Sequence, residues 1–301
     1  FQAEDGIRDP LWSRGLGDVY KRQVLDRDQL AKLAETVEHF GYKTLWYPES
    51  LSYEALAVAG YLLSNTQDLI VASGIANIYA RDAVTAAQGY DSLNRLYGGR
   101  FALGLGVSHV PLVEGARGHA YGKPVATMRQ YLKDMASAQI DPTIKFDDRA
   151  IILAALGPKM LELASVSAKG ALPYCVTPDH TKEARKIMGP EAWLCVEQKI
   201  CLTEDEGIAR AVAQEQMAPY MAMNNYRDNW FRLGFTEEEV TGKAATRFLD
   251  AMVVWGNEQA IQDCIDAHFK AGADQVVIQP FRPDRELGPD PRALKVFAPN
   301  G

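Results

Sequence analysis

The stretch from Leu69 to His109, LIVASGIANIYARDAVTAAQGYDSLNRLYGGRFALGLGVSH, spells a strand, a loop, a helix and a second strand that stops at a reactive side chain. Leu69, Ile70, Val71 and Ala72 form a short apolar run of the kind buried on both faces of a parallel sheet, and Ser73, Gly74 and Ile75 break it. Asp82 is placed to cap a helix whose Val84, Ala87, Leu93 and Leu96 are expected to face inward, and Gly98 and Gly99 supply a left-handed exit. Phe101 to Val107 then returns to the sheet, with Ser108 and His109 just past its carboxyl end. Two such strands joined by a helix make a βαβ unit. In an α/β barrel, the carboxyl ends of the strands carry the chemistry.

The same alternation runs through the chain and predicts parallel strands joined by right-handed crossovers. Asp26 and Gln29 form a capping-box pattern, followed by Leu30, Leu33, Val37 and Phe40 on one helical face and by Gly41 as a stop. Thr44 to Tyr47 reads as a strand that delivers Pro48, Glu49 and Ser50 to the barrel mouth. Further strands are expected at Ala150 to Leu156, Ala171 to Cys175, Leu194 to Leu202 and Gln275 to Gln279, which brings the placed strands to seven. Three stretches look set apart from the barrel units, the last of which, Arg282 to Gly301, is polar and proline-rich and is assigned no chemistry. Val110 to Lys123 is glycine-rich and suits a loop over the mouth, and Met217 to Phe235 reads as a helical hairpin whose Tyr220, Tyr226, Trp230 and Phe231 either wall a substrate pocket or pack two helices together.

With 301 residues, 47% of them hydrophobic, the chain has material for one large core, and a single barrel domain over residues 24–301 is the expectation. A formal charge of -7 argues against nucleic acid, which calls for a clustered basic surface. No apolar run approaches the roughly 20 residues of a membrane span, so a cytoplasmic protein without a membrane partner is expected. Cys175, Cys195, Cys201 and Cys264 show no metal-ligand spacing and read as free thiols, and no metal site is expected. His39, His180 and His268 fall on helices and are expected at the surface.

The segments SGIANIYARDAVTAAQ, GGRFALGLGVSH and AALGPKMLELASVSAKGA, in that order, resemble the luciferase-like monooxygenase superfamily and more closely its coenzyme F420-dependent oxidoreductase branch, over about Val24 to Phe281. The resemblance implies a TIM-type (β/α)8 barrel and a homodimer. The first residues depart from it: FQAEDGIRD and LWSRGLGDVYKRQ resemble translated sequencing-adapter text, so residues 1–23 are set aside as non-native. The first barrel strand is therefore expected to be missing or replaced.

The resemblance also implies where a ring cofactor lies. Ser73, Gly74 and Ile75 match a bulge that in the family contains a non-proline cis peptide and supports the cofactor, here at Ser73-Gly74 or Gly74-Ile75. An ordinary β-bulge is the alternative. Val107 and Ser108, together with Ala155, Leu156, Gly157 and Lys159, match further cofactor-contacting positions. Gly157 and Pro158 stand between a strand and a helix, where free backbone amides make an anion site, with Lys159 or Arg81 adding charge. The glycines of GLGVSH lie inside a strand and are expected to leave room for the ring rather than to form a dinucleotide loop.

Glu49 and His109 are the candidates for proton transfer, because both follow strands and converge on one end of the barrel. The plainer alternatives are an ion pair for Glu49 and a structural hydrogen bond for His109. Some sugar-phosphate-oxidising relatives carry a histidine at the position of Ser50, which argues against that substrate. The expected activity is hydride transfer between the deazaflavin C5 of F420 and a small organic substrate. An FMN-dependent monooxygenase on the same barrel is the rival, and a flavin- or deazaflavin-binding protein without turnover is a third possibility.

Overall fold

The computed structural model describes residues 11–13 and 25–299. Its strands are β1 (Leu11–Ser13), β2 (Thr44–Tyr47), β3 (Ile70–Ser73), β4 (Ala76–Asn77), β5 (Phe101–Gly106), β6 (Ile151–Ala154), β7 (Gly170–Leu172), β8 (Trp193–Leu202), β9 (Val253–Gly256) and β10 (Gln275–Phe281). Between them run the helices α1 (Arg27–His39), α2 (Ala55–Ser64), α3 (Ala83–Leu96), α4 (Pro124–Ser137), α5 (Pro158–Ser167), α6 (Pro178–Met188), α7 (Glu206–Met221), α8 (Asn224–Arg232), α9 (Thr246–Met252), α10 (Glu258–Lys270) and α11 (Pro291–Val296).

The strands pair in parallel, and β10 pairs with both β1 and β8, so the path through β1, β2, β3, β5, β6, β7, β8 and β10 returns on itself as a barrel. Two short strands patch its rim. β3 pairs with β5 at Phe101 and Ala102, and β4 takes over at Leu105 and Gly106 beyond the break at Ser73 to Ile75. Likewise β7 pairs with β8 at Trp193 and Leu194, and β9 pairs with it from Lys199 to Leu202.

Local chemistry explains the elements. Asp26 and Gln29 cap α1 reciprocally, Asp82 accepts from Thr85 N at the start of α3, and Gly41, Gly98 and Gly99 all take positive φ at the helix exits. The inward face of α3 differs from expectation. Ala87 and Leu93 are buried, whereas Val84 and Leu96 are exposed, because the helix turns its small residues Ala83, Ala86 and Ala87 with Tyr90 against the barrel. Small side chains let the helix approach the sheet closely, and the bulkier Val84 is left outside.

One further expectation is corrected, and two others are completed. Of the two outcomes expected for the first strand, the replacement is found: Leu11–Ser13, from the segment set aside, pairs with Leu45 and Trp46 on one side and with Val277 and Ile278 on the other. The remainder of residues 1–23 lies outside the described residues. His180 and His268 are on helices but buried, at 4% and 0% exposure. β9 adds to the seven expected strands and follows α9 without an intervening turn signal. Among the described residues no helix is long and apolar enough to cross a membrane. Cys175, Cys195 and Cys201 are buried and Cys264 half-buried, all as free thiols.

Candidate active site at the barrel mouth

The break after β3 is built by hydrogen bonds that hold the chain in an unusual path. Its peptide between Gly74 and Ile75 is cis. Ser73 Oγ donates to Gly104 O at 2.9 Å, Gly74 N donates to Tyr47 O at 2.6 Å, and Glu49 N donates to Ile75 O at 3.3 Å. The glycines of β5 serve this bulge directly. A Cβ at Gly104 would fall inside the van der Waals surface of Ser73 O, and one at Gly106 would strike the Ile75 side chain. These positions make room for the bulge itself.

Glu49 sits beside the bulge as an anionic staple. Its carboxylate pairs with Arg81 and accepts from Asn77 N at 2.7 Å and Ala55 N at 3.2 Å. Arg81 bridges on to Glu54 at 2.6 Å with its side chain 5% exposed, so its charge is spent on carboxylates rather than held free for a phosphate. Both oxygens of Glu49 thus have partners, which is the ion-pair alternative.

His109 follows β5 and meets the helical hairpin formed by α7 and α8. Its ring centroid is 5.7 Å from that of Tyr226, which is 5.1 Å from Tyr220, and Tyr220 lies 5.4 Å from Tyr174. Burial pulls the imidazole below its ordinary range, opposed by a hydrogen bond with Asn225, so the ring is neutral near pH 7. Ser108 takes positive φ, and its carbonyl accepts from Tyr121 Oη at 3.2 Å. Tyr121 in turn stacks on Tyr79, whose hydroxyl accepts from Gly122 N. The segment expected as a loop over the mouth therefore begins as a π-helical turn, Pro111–Ala116, and is pinned at its far end.

Ala155 is buried, while Leu156 and Gly157 are half-buried and Lys159 is exposed on the first turn of α5. No side chain caps this helix, and Pro158 at its first position has no N–H to satisfy. Leu156 O accepts from His180 Nε2 at 2.9 Å.

A second polar cluster escaped the sequence reading. Lys199 Nζ lies 2.9 Å from Glu197 Oε1, 3.1 Å from Cys175 Sγ and 3.6 Å from the centre of the Tyr174 ring. Glu197 Oε2 accepts from Cys175 N, and Tyr174 Oη donates to Gln279 Oε1 while sharing a hydrogen bond with Tyr220. Burial pulls the Lys199 ammonium down, but the Glu197 carboxylate beside it outweighs this and leaves it raised. Burial pushes the Cys175 thiol up to about 12, so it stays neutral. The signal was available: Glu197, Gln198 and Lys199 interrupt an otherwise apolar strand.

The family model for luciferase-like monooxygenases matches residues 13–275. A Mycobacterium tuberculosis protein provisionally named a coenzyme F420-dependent oxidoreductase is 24% identical over 261 residues, covering 70% of this chain and 75% of that protein. The 5,10-methylenetetrahydromethanopterin reductase of Methanolobus tindarius is 29% identical over 175 residues, so this chain spans about half of its length, at 52% of each. Among solved structures, an F420-dependent secondary alcohol dehydrogenase in complex with an F420-acetone adduct superposes with a TM-score of 0.72 at 14% identity, covering 96% of this chain and 97% of that one. The FMN complex of the oxygenating constituent of 3,6-diketocamphane monooxygenase from Pseudomonas putida gives 0.66 at 15% identity, with 96% of each chain covered. These two share the fold. The chain belongs to the luciferase-like monooxygenase family, with relatives in its F420-dependent oxidoreductase branch.

Proposed function

We propose that this chain is an F420-dependent oxidoreductase that passes a hydride between the deazaflavin C5 and a small organic substrate, with His109 moving the accompanying proton. The observation that carries the reading is the placement of His109: a neutral, largely enclosed imidazole just past β5 at the barrel mouth, against the aromatic wall of Tyr226 and Tyr220. A neutral imidazole accepts a proton from an alcohol being oxidised and returns it in the reverse direction.

The residues present fit such a cofactor. Gly74 and the backbone of Ser73 to Ile75 form a ledge that Gly104 and Gly106 accommodate, and the uncapped start of α5 at Gly157 offers backbone donors for an anionic side chain. When bound, the deazaflavin supplies a two-electron hydride acceptor or donor. Glu49, held by Arg81, Asn77 and Ala55, positions the loop after β2 against the bulge. The names of the F420-dependent relatives support this choice of cofactor, while a similar barrel in complex with FMN keeps the monooxygenase as the rival. Fluorescence titration of the full chain with oxidised F420 and with FMN separates them. Tight F420 binding with negligible FMN binding is expected, and the reverse preference would overturn the proposal.

A further inference from the structure

The first turn of α5 carries more than open amides. Asn229, on α8, is 1% exposed, and its Oδ1 accepts from Arg232 NH2 at 3.1 Å. Arginine has no acceptor, so the atom facing it must be the carboxamide oxygen, which fixes Nδ2 as the other end. That Nδ2 is enclosed and has no hydrogen-bond partner among the described residues. The same Arg232 nitrogen stands 3.6 Å from the point that a Cβ on Gly157 would occupy. Asn229 therefore holds a guanidinium over the N-terminus of α5, and the same carboxamide keeps an unused donor. Lys159 lies exposed on that first turn, and no carboxylate among the described residues pairs with Lys159 or Arg232. The charge of Arg232 also reaches His180, whose imidazole is pulled down by burial first and by this cation as well.

Uncapped helix amides, a planar guanidinium and a spare carboxamide donor all favour one chemistry, an anion with several acceptor oxygens. We infer that Arg232 and Asn229 form an arm of α8 that closes over a phosphoryl group seated on α5. In the proposed function, on which this inference rests, that group belongs to the cofactor side chain. The helical hairpin would then have two tasks: Tyr226 faces His109 at the reacting end, and Arg232 holds the anionic end.

The test compares Arg232→Gln and Asn229→Asp with the wild-type full chain by fluorescence titration, using F420, its deazaflavin precursor lacking the phosphoryl side chain, FMN and riboflavin. Each variant is expected to weaken binding of the phosphorylated cofactor by about tenfold or more, the scale of one charge-assisted hydrogen bond, and to leave its phosphate-free counterpart unchanged. Loss confined to F420 identifies a phosphodiester as the ligand, and loss confined to FMN identifies a monoester. Equal weakening of both members of a pair, or none, would overturn the inference. If the wild type binds neither F420 nor FMN, the cofactor reading fails by itself, and inorganic phosphate decides the site. A rise in wild-type Tm with phosphate that Arg232→Gln abolishes upholds the anion site, and no rise overturns it.

Discussion

Lys199 Nζ and Glu197 Oε1 lie 2.9 Å apart inside the barrel, each side chain about 1% exposed. The two residues are next-but-one neighbours on β8, so the strand's period of two puts them on the same face. Removing one partner leaves a charge with no solvent to stabilise it, whereas removing both leaves a cavity that apolar groups fill. Lys199→Met is expected to lower unfolding free energy by roughly 3–5 kcal/mol, and the double replacement Glu197→Leu with Lys199→Met to recover most of that loss. Urea unfolding of the two variants checks it.

His268 is wholly buried, with Nε2 against Gln198 Oε1 at 2.9 Å and Nδ1 against Thr181 Oγ1 at 2.8 Å. Burial, reinforced by nearby His180, pulls it down to about 4 from an ordinary 6.5. The unfolded chain binds this proton at higher pH than the native one. The contribution to stability is thus intact above about pH 6.5 and is lost as pH falls toward 4, amounting to about 3 kcal/mol across that window. The difference between the wild-type and His268→Gln stability curves should be flat above that window and converge within it.

Glu49 and His109 make separable predictions. Glu49→Gln keeps the shape but weakens the pairing with Arg81, so it should reduce stability and cofactor affinity while leaving the acid limb of the pH–rate profile in place. His109→Asn should remove that limb, whose midpoint in the wild type lies below the ordinary histidine value because burial pulls the imidazole down. A lost acid limb in Glu49→Gln would return proton transfer to the carboxylate.

Gly104→Ala places a methyl group against the Ser73 carbonyl, which is backbone and cannot swing aside. The bulge must move, at a cost of about 3 kcal/mol, the upper range for overpacking. Gly60→Ala, whose Cβ meets only Leu93 Cδ2 at 3.6 Å, serves as the control and should unfold close to the wild-type midpoint.

Much of this fold is legible in the sequence because short apolar runs, caps and glycine exits coincide. β2 spans the expected Thr44 to Tyr47, and the Asp26 and Asp82 caps both form. What escaped has physical reasons. Periodicity alone does not distinguish Val84 from Ala83 on α3, where close approach to the barrel favours the smaller side chain. The buried histidines sit on helices whose polar residues mark them as surface, and only their partners Thr181, Gln198 and Leu156, distant in sequence, show otherwise. Glu49 and His109 stood out by position after a strand. Arg232 and Asn229 did not, since they reach Gly157 from a helix some seventy positions away that no local pattern ties to α5.

The proposed reaction is hydride transfer without oxygen chemistry. Its most direct test is an anaerobic reaction of the full chain with oxidised F420 and a panel of secondary alcohols, followed by the loss of the cofactor's visible absorbance. Bleaching is expected with at least one alcohol, at a rate unaffected by oxygen and abolished in His109→Asn. Bound F420 that no substrate bleaches, together with oxygen-dependent turnover on reduced FMN, would contradict it.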